Sequence, residues 1–348
     1  MASSIEDAIR QAVTGHDLTY ALAESVMDEI MGGQATQIQM AAYLTAMSLK
    51  GESIAEITGS AAGMRKHCIR LLNDLPVLEI VGTGGDHSNS FNISTTSALI
   101  VSAAGVPVAK HGNRAASSRS GAADVLEALG VNINATPEHS LACLNTIGLC
   151  FLFAQNYHLA MKYVAPVRAE LGIRTMFNIL GPLVNPAGAS MELLGVYDED
   201  LVEPLAKVLN NLGVKDAMVV HGRDGLDEIS ASAPTAVCEV RSGEFRMYTL
   251  DPRTYGIDLC DKEELVGGTP QQNADITRRI LDGEPGPKAD AVLLNSAAAL
   301  HIARPELGIA EALDIARDTV ASGAAAAQLD KLVTLTNERD IPETNEGR

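Results

Sequence analysis

The 348-residue sequence predicts an α/β fold in which a small helical domain at the N-terminus precedes a large domain with a mainly parallel central sheet. Three observations carry that expectation. Apolar residues recur at helical spacing through residues 5–70, with no strand pattern before Val77. From there on, short apolar runs alternate with helical stretches, the order that builds a parallel sheet. Two loops rich in glycine, hydroxyl and cationic residues each follow one of those runs, at the edge where open α/β sheets bind ligands.

In the helical part, Ile5, Ala8, Ile9 and Val13 form one stripe, Leu22, Val26 and Ile30 a second, and Ile38, Ala41, Ala42 and Leu44 a third. Gly32, Gly33 and Gly51 punctuate them, Thr36 and Ser53 are predicted N-caps, and Met27, Met31, Met40 and Met47 read as core filling. Residues 77–81 then read as a buried strand that breaks into Gly82-Thr83-Gly84-Gly85-Asp86, where the missing Cβ atoms let a ligand approach the main-chain N–H groups. Hydroxyls and amides follow at Ser88, Asn89, Ser90, Asn92, Ser94, Thr95, Thr96 and Ser97, leading into an apolar helix at 98–104. Ser94 or Thr95 is its predicted N-cap, so the positive end of the helix dipole faces the glycine turn.

A second strand, 106–109, delivers Lys110-His111-Gly112-Asn113-Arg114, with Arg119 before the next helix. Helices are predicted at 121–130 and 136–147, with Pro137 suited to a first turn, then a strand at 150–154 and a helix at 158–171 carrying Lys162 and Arg168. A Gly- and Pro-rich crossover spans 174–186. Strand 193–196, helix 201–212 and strand 217–221 continue the alternation, and 236–240 with 245–250 read as an antiparallel edge beyond the loop 225–229. Helices at 273–281, 289–303 and 309–322 complete the fold, followed by a polar tail from Thr336.

Composition excludes several classes of partner. At 46% hydrophobic and 20% charged, the chain is globular and large enough for one or two domains. A net charge of −18 opposes nucleic acid and anionic membrane, and with 3% aromatics and no Trp, base-stacking platforms are not expected. Five cysteines, scattered and never spaced as CxxC, imply reduced thiols in a cytoplasmic protein, with neither zinc nor disulfide. The N-terminus has no apolar signal segment, and the longest apolar stretch, interrupted by Gly105 and Pro107, is too short for a bilayer.

The two loops together point to a multiply phosphorylated small molecule. No Gly-Lys-Ser/Thr is present, and the dinucleotide pattern would need glycine at His87. Taken alone, GTGGD would be an ordinary glycine turn. With the hydroxyls and KHGNR at this spacing, GTGGD, FNIST and KHGNR resemble the anthranilate phosphoribosyltransferase family, as do Met161-Lys162, Val167-Arg168, RTMFNILGPLVNP at 174–186 and Gly225-Leu226-Asp227-Glu228.

The resemblance implies a nucleoside phosphorylase/phosphoribosyltransferase-like architecture, with a small helical domain at 1–70 that also takes in roughly 163–186, and a large domain at 71–162 and 187–348. It implies transfer of the phosphoribosyl group of phosphoribosyl pyrophosphate to anthranilate, magnesium, and a homodimer. For phosphoribosyl pyrophosphate the implied binding residues are Gly82, Gly85, Asp86, Ser90, Asn92, Ile93, Ser94, Thr95, Lys110, His111, Gly112, Asn113, Arg114, Ala115, Ala116, Ser117, Ser118 and Ala122. For anthranilate they are Gly82, Asn113 and Arg168, and for magnesium Ser94, Asp227 and Glu228. The chemistry fits: magnesium takes one or two carboxylates plus substrate phosphates, and the planar fork of an arginine matches a carboxylate. On residue type alone, Arg168 could equally form a helix-surface salt bridge, Asp227-Glu228 is one acidic pair among 44 acids, and His111 and His158 read as structural. No covalent nucleophile is implied.

The sequence departs from the family pattern at His87, usually Gly, at Thr96, usually Ala, and at Leu159, often Pro. Two other readings compete. A pyrimidine nucleoside phosphorylase of similar architecture would need an additional C-terminal α/β domain, and a nucleic-acid-binding relative would not retain Asp227-Glu228 or carry a net charge of −18.

Overall fold

The computed structural model describes residues 3–115 and 119–338. Four helices, Ser4–Ala12, Tyr20–Met31, Gln37–Lys50 and Ile54–Lys66, form the N-terminal layer, with Thr36 and Ser53 as the predicted N-caps, each in a reciprocal capping box. Glycines set how closely these helices pack: a Cβ on Gly59 would lie 2.3 Å from the Tyr20 carbonyl oxygen, and one on Gly63 would lie 2.7 Å from that of Glu24. Buried Glu56 locks the layer by accepting from the Leu18 N–H at 2.7 Å and pairing with Lys50 at 2.9 Å.

The large layer is a seven-stranded sheet whose strands are β1 Leu78–Gly82, β2 Val108–Gly112, β3 Leu149–Phe153, β4 Met191–Gly195, β5 Asp216–Gly222, β6 Thr235–Arg241 and β7 Glu244–Leu250. Across the sheet they run in the order β3-β2-β1-β4-β5-β6-β7. The first five in that order are parallel, whereas β6 and β7 form the antiparallel edge expected from their alternation. Because the chain winds outward from β1 in one direction and from β4 in the other, the switch point lies between β1 and β4, and the crevice beyond their carboxyl ends is where such sheets take ligands.

Alternate residues of the strands feed two cores. Leu193, Met218, Val220 and Val237 face the helices Ile93–Ala103, Pro287–Ala303 and Ile309–Ala321. Leu194, Val219 and Cys238 share a second core with the N-terminal helices and with Val164, Val167, Met176, Phe177, Leu180 and Leu183. The crossover is therefore packed into the helical layer through apolar contact.

Three sequence expectations change. The helix expected over 158–171 is split into a 3-10 turn, Leu159–Tyr163, and a short helix, Ala165–Leu171, because Pro166 at its start cannot donate back to the preceding turn. The helix expected from residue 98 starts at Ile93. A further helix, Ala324–Asn337, lies in an alanine-rich run with little amphipathic signal, and it anchors Thr336, whose hydroxyl accepts from the Asn132 N–H at 3.2 Å.

Gly59→Ala should lower stability by about 1–3 kcal/mol, the usual cost of overpacking a close interface. A chemical denaturation midpoint unchanged from the parent would contradict the packing described for Tyr20 and Gly59.

Candidate functional site

The site is built around one close approach of backbone to backbone. Gly82 and Gly195 are register partners at the carboxyl ends of β1 and β4. A Cβ on Gly195 would lie 1.7 Å from the Asp227 carbonyl oxygen, and one on Gly82 would lie 2.4 Å from Asp227 Oδ2. Only glycine at both ends lets the loop after β5 lie across the switch point. Asn295, buried in the helix Pro287–Ala303, holds that loop from behind, accepting from the Ile229 N–H at 3.0 Å and donating to its carbonyl at 2.8 Å.

Asp227 and Glu228 are thereby turned into the glycine loop. The Asp227 carboxylate accepts from the Gly84 N–H at 2.6 Å, and the Asp227 N–H donates to Asp86 Oδ2 at 3.4 Å. Glu228 Oε1 accepts from the Ser94 N–H at 3.1 Å. Glu228 thus does the capping that the sequence assigned to Ser94 or Thr95; Asn92 occupies the N-cap position and makes no side-chain cap bond. Gly84 and Gly85 adopt positive φ, as does His87 at 57°. His87 therefore carries a side chain in the left-handed region, at roughly 1–2 kcal/mol.

Lys110, on β2, is buried beneath this loop, where its Nζ donates to the Ile80 carbonyl at 2.6 Å and to the Ser94 hydroxyl at 3.4 Å. The Ser94 side chain therefore stands between a buried cation and the acidic pair. Burial raises the pKa of Glu228 to about 7 despite Lys110, and burial, with Asp86 and Glu228 beside it, raises that of Asp227 well above its ordinary value. Crowded carboxyls of this kind call for a divalent cation. The donors within reach are oxygens, from Asp227, Glu228 and the Ser94 hydroxyl, which suits magnesium. Among the described residues, no three His, Cys, Asp or Glu side chains are grouped to cage a metal unaided, so water and substrate oxygens would complete its shell.

Of the other predicted residues, Asn92 and Ser90 line the same loop, with Ser90 in an isolated bridge to Val266, while Ile93 and Thr95 are buried in the first turn of the helix. His111 continues β2, its N–H donating to both oxygens of buried Glu79 at 3.1 and 3.0 Å. Gly112 packs against Ala122, where a Cβ would lie 2.9 Å from the alanine methyl. Asn113 is exposed, and its Oδ1 accepts from Gln155 at 3.5 Å. Arg114 is held by Asp124 and Glu127, both at 2.9 Å, and Ala115 donates its N–H to Asp124 at 2.8 Å. Ala116, Ser117 and Ser118 lie outside the described residues.

Arg168 is half-buried, with its guanidinium 5.3 Å from the centre of the Phe177 ring, and burial lowers its pKa. Among the described residues no carboxylate pairs with it, so the surface salt bridge is not found. Its segment is tied to the site at both ends: the rings of His158 and His111 lie 5.0 Å apart, and Arg174 donates to the Gly85 carbonyl while stacking 4.2 Å over Tyr197.

Sequence reasoning gave no role to Arg174, Glu79 or Asn185. Asn185 donates to Glu79 and, at 2.8 Å, to the Ala109 carbonyl, so Glu79 ties β1 to β2 and to the crossover. A lone carboxylate inside the apolar run 77–81 was the available signal. His158 and His111 are both buried with Nε2 unpartnered, and burial holds His158 neutral with a pKa lowered to about 4.

Residues 6–68 match the glycosyl transferase family, helical bundle domain, and residues 74–326 match the glycosyl transferase family, a/b domain. The chain is 61% identical to the anthranilate phosphoribosyltransferase of Lachnoclostridium phytofermentans, over 96% of this chain and 100% of the relative. Among solved structures, anthranilate phosphoribosyltransferase from Thermus thermophilus superimposes with a TM-score of 0.91 at 44% identity, covering 95% of this chain and 100% of that one. The Saccharomyces cerevisiae enzyme in complex with PRPP and Mg gives 0.89 at 25% identity, covering 97% and 98%.

Glu228 and Glu79, with pKa values raised from 4.5 to about 7 and about 8, favour the fold when protonated. Their contribution is full below about pH 4.5 and is lost as the pH rises through 7 to 8. Metal-free protein should therefore melt at a lower temperature at pH 8 than at pH 6, and Glu228→Gln should shrink that difference; an undiminished difference in the variant would exclude Glu228 as a source.

Proposed function

The chain belongs to the anthranilate phosphoribosyltransferase family, and on that premise we propose how its residues transfer the phosphoribosyl group from 5-phosphoribosyl 1-pyrophosphate to anthranilate. The products are N-(5-phosphoribosyl)anthranilate and pyrophosphate, in a step of tryptophan biosynthesis. The observation that carries the assignment of roles is the Asp227-Glu228 pair pinned across the switch point, facing Ser94 and Lys110.

Asp227, Glu228 and the Ser94 hydroxyl hold magnesium, a reading supported by their all-oxygen donor set and by the PRPP and Mg bound to the yeast relative. When bound, the ion supplies positive charge to the departing pyrophosphate. The glycine loop at 82–86 and the first turn of the helix Ile93–Ala103 bind the diphosphate end, where the Gly84 and Ser94 N–H groups must first be released by Asp227 and Glu228, and Lys110 adds a buried cation behind them. Residues 110–115, with Ala122, take the phosphates. Arg114 must then exchange Asp124 and Glu127 for substrate oxygens, or remain a brace for the loop.

Arg168 takes the anthranilate carboxylate; its half-buried guanidinium supports this, since it meets no carboxylate among the described residues, the group its fork is shaped for. Asn113 and Gly82 line the same pocket. Neutral His111 and His158 keep the neighbourhood free of a second charge. The amine attacks the anomeric carbon as pyrophosphate leaves, through an oxocarbenium-like transition state, and its free lone pair needs no strong base. What the chain supplies is alignment and charge placed in advance.

The small domain comprises residues 1–70 with roughly 163–186, supported by their shared apolar core, and the large domain comprises 71–162 with 187–348. The protein works as a cytoplasmic homodimer, a reading supported by five free cysteines and by exposed Ile38 and Leu49 on the helical layer. No described helix is long and apolar enough to cross a membrane.

Purified protein with anthranilate, phosphoribosyl pyrophosphate and magnesium should consume anthranilate fluorescence, and absence of turnover would defeat the assignment. Asp227→Asn with Glu228→Gln should reduce kcat by at least about a hundredfold. Arg168→Ala should raise the anthranilate KM by about ten- to a hundredfold, the range of a lost charged hydrogen bond, and an unchanged KM would remove Arg168 from this role.

A further inference from the structure

The glycine loop and the cationic loop are joined by a part-buried hydrogen-bond chain through two asparagines. Asn92, at the head of the helix Ile93–Ala103, donates from Nδ2 to the Ser120 carbonyl at 3.1 Å, and its Oδ1 accepts from the Ser120 hydroxyl at 3.3 Å. The same Oδ1 accepts from Nδ2 of Asn273 at 2.9 Å. Asn273, in the helix Pro270–Leu281, is 1% exposed, and its own Oδ1 accepts from the Gly268 N–H at 2.7 Å.

Each link has a forced polarity. The Gly268 N–H can only donate, so the oxygen of Asn273 must face it and the nitrogen must face Asn92. Asn92 must then present its oxygen to Asn273 and its nitrogen to the Ser120 carbonyl. Neither a carboxylate nor an apolar side chain can both accept from Gly268 and donate to Asn92. The segment holding Gly268 is itself stitched to the glycine loop, with the Gly267 N–H donating to the Asn89 carbonyl at 2.8 Å and the Phe91 N–H to that of Leu265 at 3.1 Å. A second tie runs from the same helix: the Thr277 and Thr96 hydroxyls lie 2.9 Å apart, but Thr96 also donates to the Asn92 carbonyl within its own helix.

We propose that Asn273 is a positioning residue for the phosphoribosyl substrate: acting through Asn92 and Ser120, it fixes the separation of the two loops that hold that substrate. Asn273 touches neither the acidic pair nor Arg168, so its effect falls first on the loops that bind the phosphoribosyl substrate. The proposal rests on the reading of the two loops given under the proposed function. Thr277 is the control, because Thr277→Val perturbs the same helix and leaves the amide chain intact.

Steady-state kinetics with each substrate varied in turn test the proposal. Asn273→Asp, which sets a carboxylate oxygen against Asn92 Oδ1, and Asn273→Ala should each raise KM for phosphoribosyl pyrophosphate about tenfold or more, with KM for anthranilate within twofold of the parent. Thr277→Val should leave both within twofold, even where its melting temperature falls as far. If Asn273→Asp does not fold, Asn273→Ala decides. An unchanged KM for phosphoribosyl pyrophosphate in a folded Asn273 variant, or an equal rise in Thr277→Val, would overturn the proposal while leaving the transferase reading intact. A parent protein without turnover would defeat that reading and the proposal together.

Discussion

The structure depends on the contact between the Asp227 backbone and two glycines at the ends of neighbouring strands. Gly82 and Gly195 leave no room for a Cβ, and the loop that fills the space carries two carboxylates to the switch point of the sheet. Every other part of the site is arranged around that placement. The helix Ile93–Ala103 begins where Glu228 meets the Ser94 N–H, and the glycine turn is held where Asp227 meets the Gly84 N–H. At Gly195 the contact has no tolerance for relaxation, since backbone lies against backbone there.

A chain of net charge −18 that handles a substrate with two anionic ends faces an electrostatic conflict. It is resolved locally. Lys110 is buried under the acidic pair, and the Gly84 and Ser94 N–H groups donate to its two carboxylates. Arg168 sits apart, on a segment moored at His158 and Arg174.

Much of this was legible in the residues. The parallel order, the antiparallel edge and both loops follow from local pattern, since strand periodicity and glycine turns are short-range signals. What escaped was long-range. Glu228 capping the helix Ile93–Ala103 joins residues far apart in the chain, so the local rule placed the cap on Ser94 or Thr95. Arg174 and Asn185 act through single hydrogen bonds to carbonyls and to a buried carboxylate, which no spacing reveals. The break at Pro166 was present in the sequence, but the helical periodicity on either side of it obscured it. The Thr96 hydroxyl meets that of Thr277, a partner far along the chain.

The most direct test of the central claim is anomalous diffraction from crystals soaked with manganese and phosphoribosyl pyrophosphate. The account predicts a metal peak within coordination distance of Asp227, Glu228 or Ser94, with the diphosphate bridging from it to the N–H groups of the glycine turn. A metal and sugar phosphate bound together elsewhere on the molecule, with these carboxylates untouched, would contradict it.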